Sequence, residues 1–276
     1  MLYLDLPDDP AGAEWAYHPA VEVVPCTPAV WQRLCGTPAP ADLGDKQRGV
    51  MADGLARLRA AGMDWSLMLD ADELVHGDMH RALAGAGGEA GAGTAALVTL
   101  EPAEALRHPE MGEGLFDPRW FKRLSRGSRV EALRLREAYG DIPLMPASGF
   151  FGHTSGKTFV RTDVPIDLYS LHLPEHSRIR HGQVAARDVL LLHFDVLPHD
   201  AWCDRWRMRA RAGVHYCDRR PQLDLIRALL EADDAAGLRA LYDRWYFADA
   251  DRLAWLQEAG LAMRLEIPAR LFSAPA

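Results

Sequence analysis

The stretch Trp65-Ser66-Leu67-Met68-Leu69-Asp70-Ala71-Asp72-Glu73-Leu74 decides how this chain is read. A largely apolar run of strand length stops abruptly at three carboxylates interrupted by one alanine. A short apolar run without strict alternation suits a strand buried on both faces, as the central strands of parallel sheets are. Open α/β sheets place their ligands beyond the carboxyl ends of such strands. Asp70 and Asp72 are therefore expected on the wall of a pocket, where their charge needs water, a cation or a basic partner. A divalent ion with oxygen ligands, magnesium or manganese, is the specific answer. The plainer reading is that Asp-Ala-Asp-Glu caps a following helix, because short acidic side chains suit a first turn.

Upstream, Lys46-Gln47-Arg48, a helical segment from about Gly49 to Ala60, and Gly62 as its stop lead directly into the apolar run. On these residues the chain resembles the helix–strand–Asp-x-Asp core of GT-A glycosyltransferases. The acidic motif of the bacterial family-2-like group reads Trp-x-x-x-x-Asp-Ala-Asp-Glu, and Trp65 through Glu73 match it. The resemblance implies an α/β three-layer sandwich with a mostly parallel central sheet. Residues 1–198 would form the transferase domain, and 199–276 a helical extension packed on it. Leu2–Leu6 then corresponds to the family's second strand, so the sheet is expected to be incomplete at its N-terminal side.

The implied reaction moves a sugar from a nucleoside-diphosphate sugar to a hydroxyl acceptor, with manganese or magnesium as cofactor. Asp70, Asp72 and Glu73 would form the catalytic acidic group, and Asp70, Asp72 and His193 the metal ligands. Glu73 would be an acceptor behind the metal or a helix cap. Asp8, Gln47, Asp70, Gly152, His153 and Lys157 are the residues expected around the donor. No general base is assigned; Asp163 and Asp195 are possible on chemistry alone. Two rival readings remain open. One is a noncatalytic nucleotide- or partner-binding remnant; the other is a metal-dependent phosphoryl enzyme using the same acidic strand end.

Length and composition set the outer limits. A chain of 276 residues can bury one large core, and 49% hydrophobic with 25% charged residues is ordinary for a globular protein. A formal net charge of -8 argues against nucleic acid as a partner. Cys26, Cys35, Cys203 and Cys217 show no Cys-x-x-Cys spacing and read as reduced thiols, with a Cys26–Cys35 disulfide left open. No apolar run reaches the roughly 18 residues a bilayer needs, and no basic segment precedes an apolar one in the manner of a leader. A cytoplasmic protein without a transmembrane segment is expected.

The remaining signals fall in chain order. Val21–Val24, closed by Pro25, and Ala95–Leu100 read as strands, with a possible helical turn near Trp31 and a short helix starting at Met79. Residues 101–160 read as irregular. Trp120-Phe121-Lys122-Arg123 mixes aromatic and basic residues, a base platform or a solvated positive face. In Phe150-Phe151-Gly152-His153-Thr154-Ser155-Gly156-Lys157 the glycines permit tight turns and Lys157 can meet a phosphate; a hairpin turn with a surface lysine reads equally well. Val189–Leu192 deliver His193 at a strand end, where a neutral imidazole can ligate a metal or simply pack, with His172 as the fallback. From Pro198 the pattern is helical, including a helix expected to end near Gly237, and the helices could cover the sheet or form a homodimer surface.

Overall fold

The acidic stretch folds as two short strands around a turn, not as one strand leading into a helix. The computed structural model describes residues 1–86, 95–109, 114–140, 148–152, 154–166, 182–196, 198–211 and 220–267. The chain opens with β1 (Leu2–Leu4), α1 (Pro10–Trp15), β2 (Val23–Pro25), α2 (Pro28–Cys35) and α3 (Leu43–Ala60). The strands β3 (Trp65–Ser66) and β4 (Glu73–Gly77) flank the acidic turn, followed by α4 (Met79–Ala86) and β5 (Leu97–Leu106). Then come β6 (Trp120–Arg123), α5 (Arg129–Tyr139), β7 (Thr158–Arg161) and β8 (Gln183–His193). Helices α6 (His199–Arg211), α7 (Arg220–Glu231), α8 (Ala235–Tyr246) and α9 (Ala250–Glu258) precede a last strand, β9 (Ala262–Arg264).

The long strand β5 is the hub of the main sheet. On one side it pairs in parallel with β8, whose outer edge carries β4 antiparallel. On the other side Leu97–Thr99 pair with β7 and Ala103–Leu106 with β6, both antiparallel. β3 extends β7 and β9 extends β6, again antiparallel. The mostly parallel GT-A-type sandwich is therefore not the fold. Among the described pairings of this sheet only β5–β8 runs parallel. The apolar run is not buried on both faces either: Trp65–Met68 are half-buried and Leu69 is 40% exposed, so an apolar run by itself fixes neither cover nor strand direction. Nor does Leu2–Leu4 belong to this sheet: β1 and β2 form a separate parallel pair.

Several boundaries move for local reasons. β5 continues past Leu100 through Pro102, which falls in the gap between the β7 pairing that ends at Thr99 and the β6 pairing that begins at Ala103, where a strand can accommodate a proline. Helix α5 lies in the stretch read as irregular. Ser128 and Glu131 close a full capping box over its first turn, a signal present in the sequence as Ser-x-x-Glu. The helix expected to reach Gly237 breaks after Glu231. Asp234 caps α8 instead, accepting the Gly237 N–H at 2.8 Å, so Gly237 begins a helix and does not end one. Cys26 and Cys35 are free thiols.

Helices α6–α9 share the main core with the sheet. Phe194 meets Phe121 edge-on at 5.4 Å, and Phe151 stacks on Trp245 at 4.9 Å, beside buried Trp202, Tyr242, Ile226 and Leu256. That aromatic packing fixes α6, and with it Arg205, over the end of β8. No described helix is long and apolar enough to cross a membrane.

Candidate metal centre

The acidic turn is closed from both ends. The Glu73 N–H donates to the Asp70 carbonyl at 3.1 Å, and the Asp70 N–H donates to the Glu73 carboxylate at 2.8 Å. The Phe194 N–H donates to the Asp72 carbonyl at 2.8 Å, which ties the turn to the chain just past β8. Glu73 is thus the brace of the turn, and the strand β4 follows it where a helix cap was an open reading. Asp70 and Asp72 leave the turn in different company. Asp70 accepts from Lys157 Nζ at 2.8 Å, whereas Asp72 Oδ2 lies 3.8 Å from His193 Nε2.

The pairing registers place Glu73 beside His193, His193 beside Glu104, and Glu104 beside Lys122. Registered neighbours share a face, so four polar side chains cross four strands in one row. At the inner end of that row Glu104 and Lys122 form a fully buried ion pair. Glu104 also accepts the N–H groups of Phe151 (3.2 Å) and Gly152, while Lys122 donates to the Gly149 carbonyl at 2.8 Å. Lys122 is neither a base platform nor part of a solvated face. It lies 4.7 Å from the Phe151 ring centre and anchors the 149–152 segment.

That segment leads to Lys157. A Cβ on Gly152 would stand 2.7 Å from Glu104 Oε1 and 3.1 Å from His193 Nδ1, so a side chain there would push on both. Gly156 passes against the Leu100 carbonyl with no room for a Cβ, and the Leu100 N–H donates to the Lys157 carbonyl at 2.8 Å. The glycines therefore serve close approach to the sheet, and the Gly152 N–H is spent on Glu104, not held for a phosphate. Lys157, 1% exposed, is aimed at the turn: its Nζ lies 2.8 Å from Asp70 and 3.5 Å from Glu73.

Burial pushes the Glu73 carboxyl above its ordinary range, and the Lys157 ammonium and the Asp70 N–H pull it part of the way back. Lys157→Met removes the stronger of those two restraints, so the carboxyl rises further. A carboxyl held above its unfolded value adds stability that is fully present below the unfolded pKa and is lost as pH rises through the folded one. The stability deficit of Lys157→Met relative to the unsubstituted protein should therefore grow as pH rises above the ordinary carboxyl range. Urea midpoints of both proteins over that rise in pH test this; a deficit that shrinks with pH contradicts it.

Asp72, His193 and Asp195 each offer a ligand atom, and the three atoms lie within 4.8 Å of one another. His193 and Asp195 are two positions apart in extended chain, so they face the same way while Phe194 turns into the core at 0% exposure. Arg205 bridges the cluster: Nη2 donates to Asp72 Oδ2 at 3.2 Å, and Nη1 donates to Asp195 Oδ1. Two carboxylates and an imidazole form an O,O,N donor set that suits manganese and admits magnesium less readily. Ligands about 2.1 Å from a common ion lie at most about 4.2 Å apart, so a contraction of under about 1 Å would close the set.

Of the residues expected at this site, the fold gathers Asp72, Glu73, His193, Gly152, Lys157 and, through Lys157, Asp70. Asp70 stands outside the three-residue cluster. Asp8 is exposed in the turn after β1, and Gln47 sits half-buried on α3, away from the registered row. Asp163 is exposed and paired with Arg161. His153 and His172 lie outside the described residues. Glu104 and Arg205 were missed. Glu104 was marked by a lone acid in the apolar run Ala103-Glu104-Ala105; Arg205 carried no signal beyond its place in a basic helix.

Comparison with protein-family models, with curated proteins and with solved structures finds no match. The fold and site thus define an α/β protein with a mixed, mainly antiparallel main sheet and a carboxylate–imidazole cluster at the end of the parallel β5–β8 pair.

Proposed function

We propose that this rim is the centre of a divalent-metal-dependent transferase acting on a nucleoside-diphosphate sugar and a hydroxyl acceptor. The observation that carries the metal half is the convergence of Asp72, His193 and Asp195 from two separate stretches of chain. The donor half rests on the resemblance of Trp65–Glu73 to the acidic motif of sugar transferases, and no longer on the fold. Asp72, His193 and Asp195 would hold the ion. When bound, the ion offsets the negative charge that develops on a leaving diphosphate. Lys157, buried and paired with Asp70 and Glu73, would add a second positive charge behind the acidic turn. Glu104 and Lys122 hold the 149–152 segment against the sheet and so set the approach of Lys157.

Calorimetric titration with a panel of nucleoside-diphosphate sugars, with and without manganese, tests the reading. Affinity for at least one donor should rise by at least about tenfold with the ion. Equal affinity in both conditions would remove the metal bridge. Product analysis separates the chemistries: release of a nucleoside diphosphate marks sugar transfer, release of a monophosphate marks phosphoryl chemistry.

A further inference from the structure

Arg205 already occupies the place a cation would take. Its guanidinium spans the two carboxylates of the cluster, and the oxygen it holds on Asp72, Oδ2, is the one that faces His193 Nε2. Its side chain is 22% exposed, against 17% for Asp72 and 8% for Asp195, so the bridge is part-buried but reached by solvent. A divalent ion competes with the guanidinium for this group, because a lone pair directed at a donor hydrogen is withdrawn from the metal and the fixed positive charge repels a second cation. The carboxylates also cannot be left bare, since two like charges this close need a counter-charge.

We propose that Arg205 is an exchangeable internal cation. It holds Asp72 and Asp195 in the metal-free protein, gives both up to a divalent ion, and turns its freed guanidinium to the diphosphate of the donor. This rests on the metal-centre reading above and adds a role for a residue outside the ligand set. The exchange makes ion binding compete with an internal partner, so apparent metal affinity is reduced by the fraction of protein in the bridged state. It also couples ion and diphosphate with favourable sign. A released guanidinium matches phosphate oxygens bidentately, which it cannot do while bridging Asp72 and Asp195.

The test uses the full chain and two probes: Mn2+ alone, followed by loss of the free-ion paramagnetic resonance signal, and the Mn2+–pyrophosphate complex, followed by calorimetry. Arg205→Gln should bind Mn2+ about tenfold more tightly than the unsubstituted protein. The same substitution should bind Mn2+–pyrophosphate about tenfold more weakly. Arg205→Lys keeps the charge without the fork and should fall between the two for Mn2+, and it carries the comparison if Arg205→Gln does not fold. Effects of opposite sign on the two probes are the signature, because a merely structural arginine would weaken both. Failure of the unsubstituted protein to bind Mn2+ would overturn the metal-centre reading and the exchange with it. Binding of Mn2+ that weakens or stays unchanged in Arg205→Gln would overturn the exchange alone. Tighter Mn2+ binding with unchanged pyrophosphate affinity would overturn the transfer of the guanidinium to the diphosphate.

Discussion

Lys122→Met is expected to lower the free energy of unfolding by about 3–5 kcal/mol, the usual result of stranding one buried charge. Glu104 has 0% and Lys122 1% side-chain exposure, so no water reaches the carboxylate when its ammonium is gone. The N–H groups of Phe151 and Gly152 remain as its donors, and they carry no net charge. Combining Lys122→Met with Glu104→Gln should recover most of the loss, because replacing both members of a buried ion pair by neutral groups is often close to neutral. Glutamine still offers an oxygen to the Phe151–Gly152 backbone. Urea midpoints of the four proteins close a double-mutant cycle. Additive losses in the double substitution would instead assign Lys122 to packing among the Tyr139, Phe150 and Phe151 rings, whose centres lie 5.5, 5.7 and 4.7 Å from Nζ.

Asp72→Asn should weaken Mn2+ binding by at least about 100-fold, the upper end of what losing even an outer-shell partner of a metal site does. The substitution keeps the size and removes one anionic oxygen from a set of three donors. It leaves Asp195 as the partner of Arg205 and keeps the Asp72 carbonyl available to the Phe194 N–H. The fold should therefore persist with a melting temperature close to that of the unsubstituted protein. Asp70→Asn is the informative contrast. Asp70 lies outside the cluster, so its loss should change Mn2+ affinity less than about threefold while freeing one contact of Lys157. Equal losses for the two substitutions would mean that the ion, if bound, spans the whole turn and not the Asp72–His193–Asp195 group.

The local parts of this site were legible in the chain. An apolar run broken by Asp70-Ala71-Asp72-Glu73 announced a charged turn, although the strand before it stops at Ser66 and the turn stands at the amino end of β4, not at the carboxyl end of the expected strand. Val189–Leu192 announced a strand carrying His193 to its last position. Both follow from side-chain periodicity, which needs no knowledge of the partner strand. Asp195 was open to the same logic: His193-Phe194-Asp195 alternates polar, apolar, polar, and period two puts the polar pair on one face. The capping box of α5 was equally available in Ser128-x-x-Glu131.

The pairing was not. Trp65–Leu69 looked like one buried parallel strand, yet only Trp65 and Ser66 pair, antiparallel to β7, and Glu73–Gly77 supply a second strand beside β8. Burial depends on what covers a strand and direction on which distant segment lies beside it; apolar pattern fixes neither, and here Leu69 is 40% exposed. The same limit hid the charges. Glu104 and Lys122 read as an isolated acid and a surface base until the β5–β6 register set them side by side. Arg205 looked like one arginine among several on a helix, and the aromatic packing of Trp202, Trp245 and Phe194 on the sheet is what carries it over Asp72 and Asp195. Sequence alone determined that carboxylates and an imidazole end up at chain turns and strand ends. Tertiary structure decided which of them meet and which cation answers them, because electrostatic partners are set by distance in space and not by spacing along the chain.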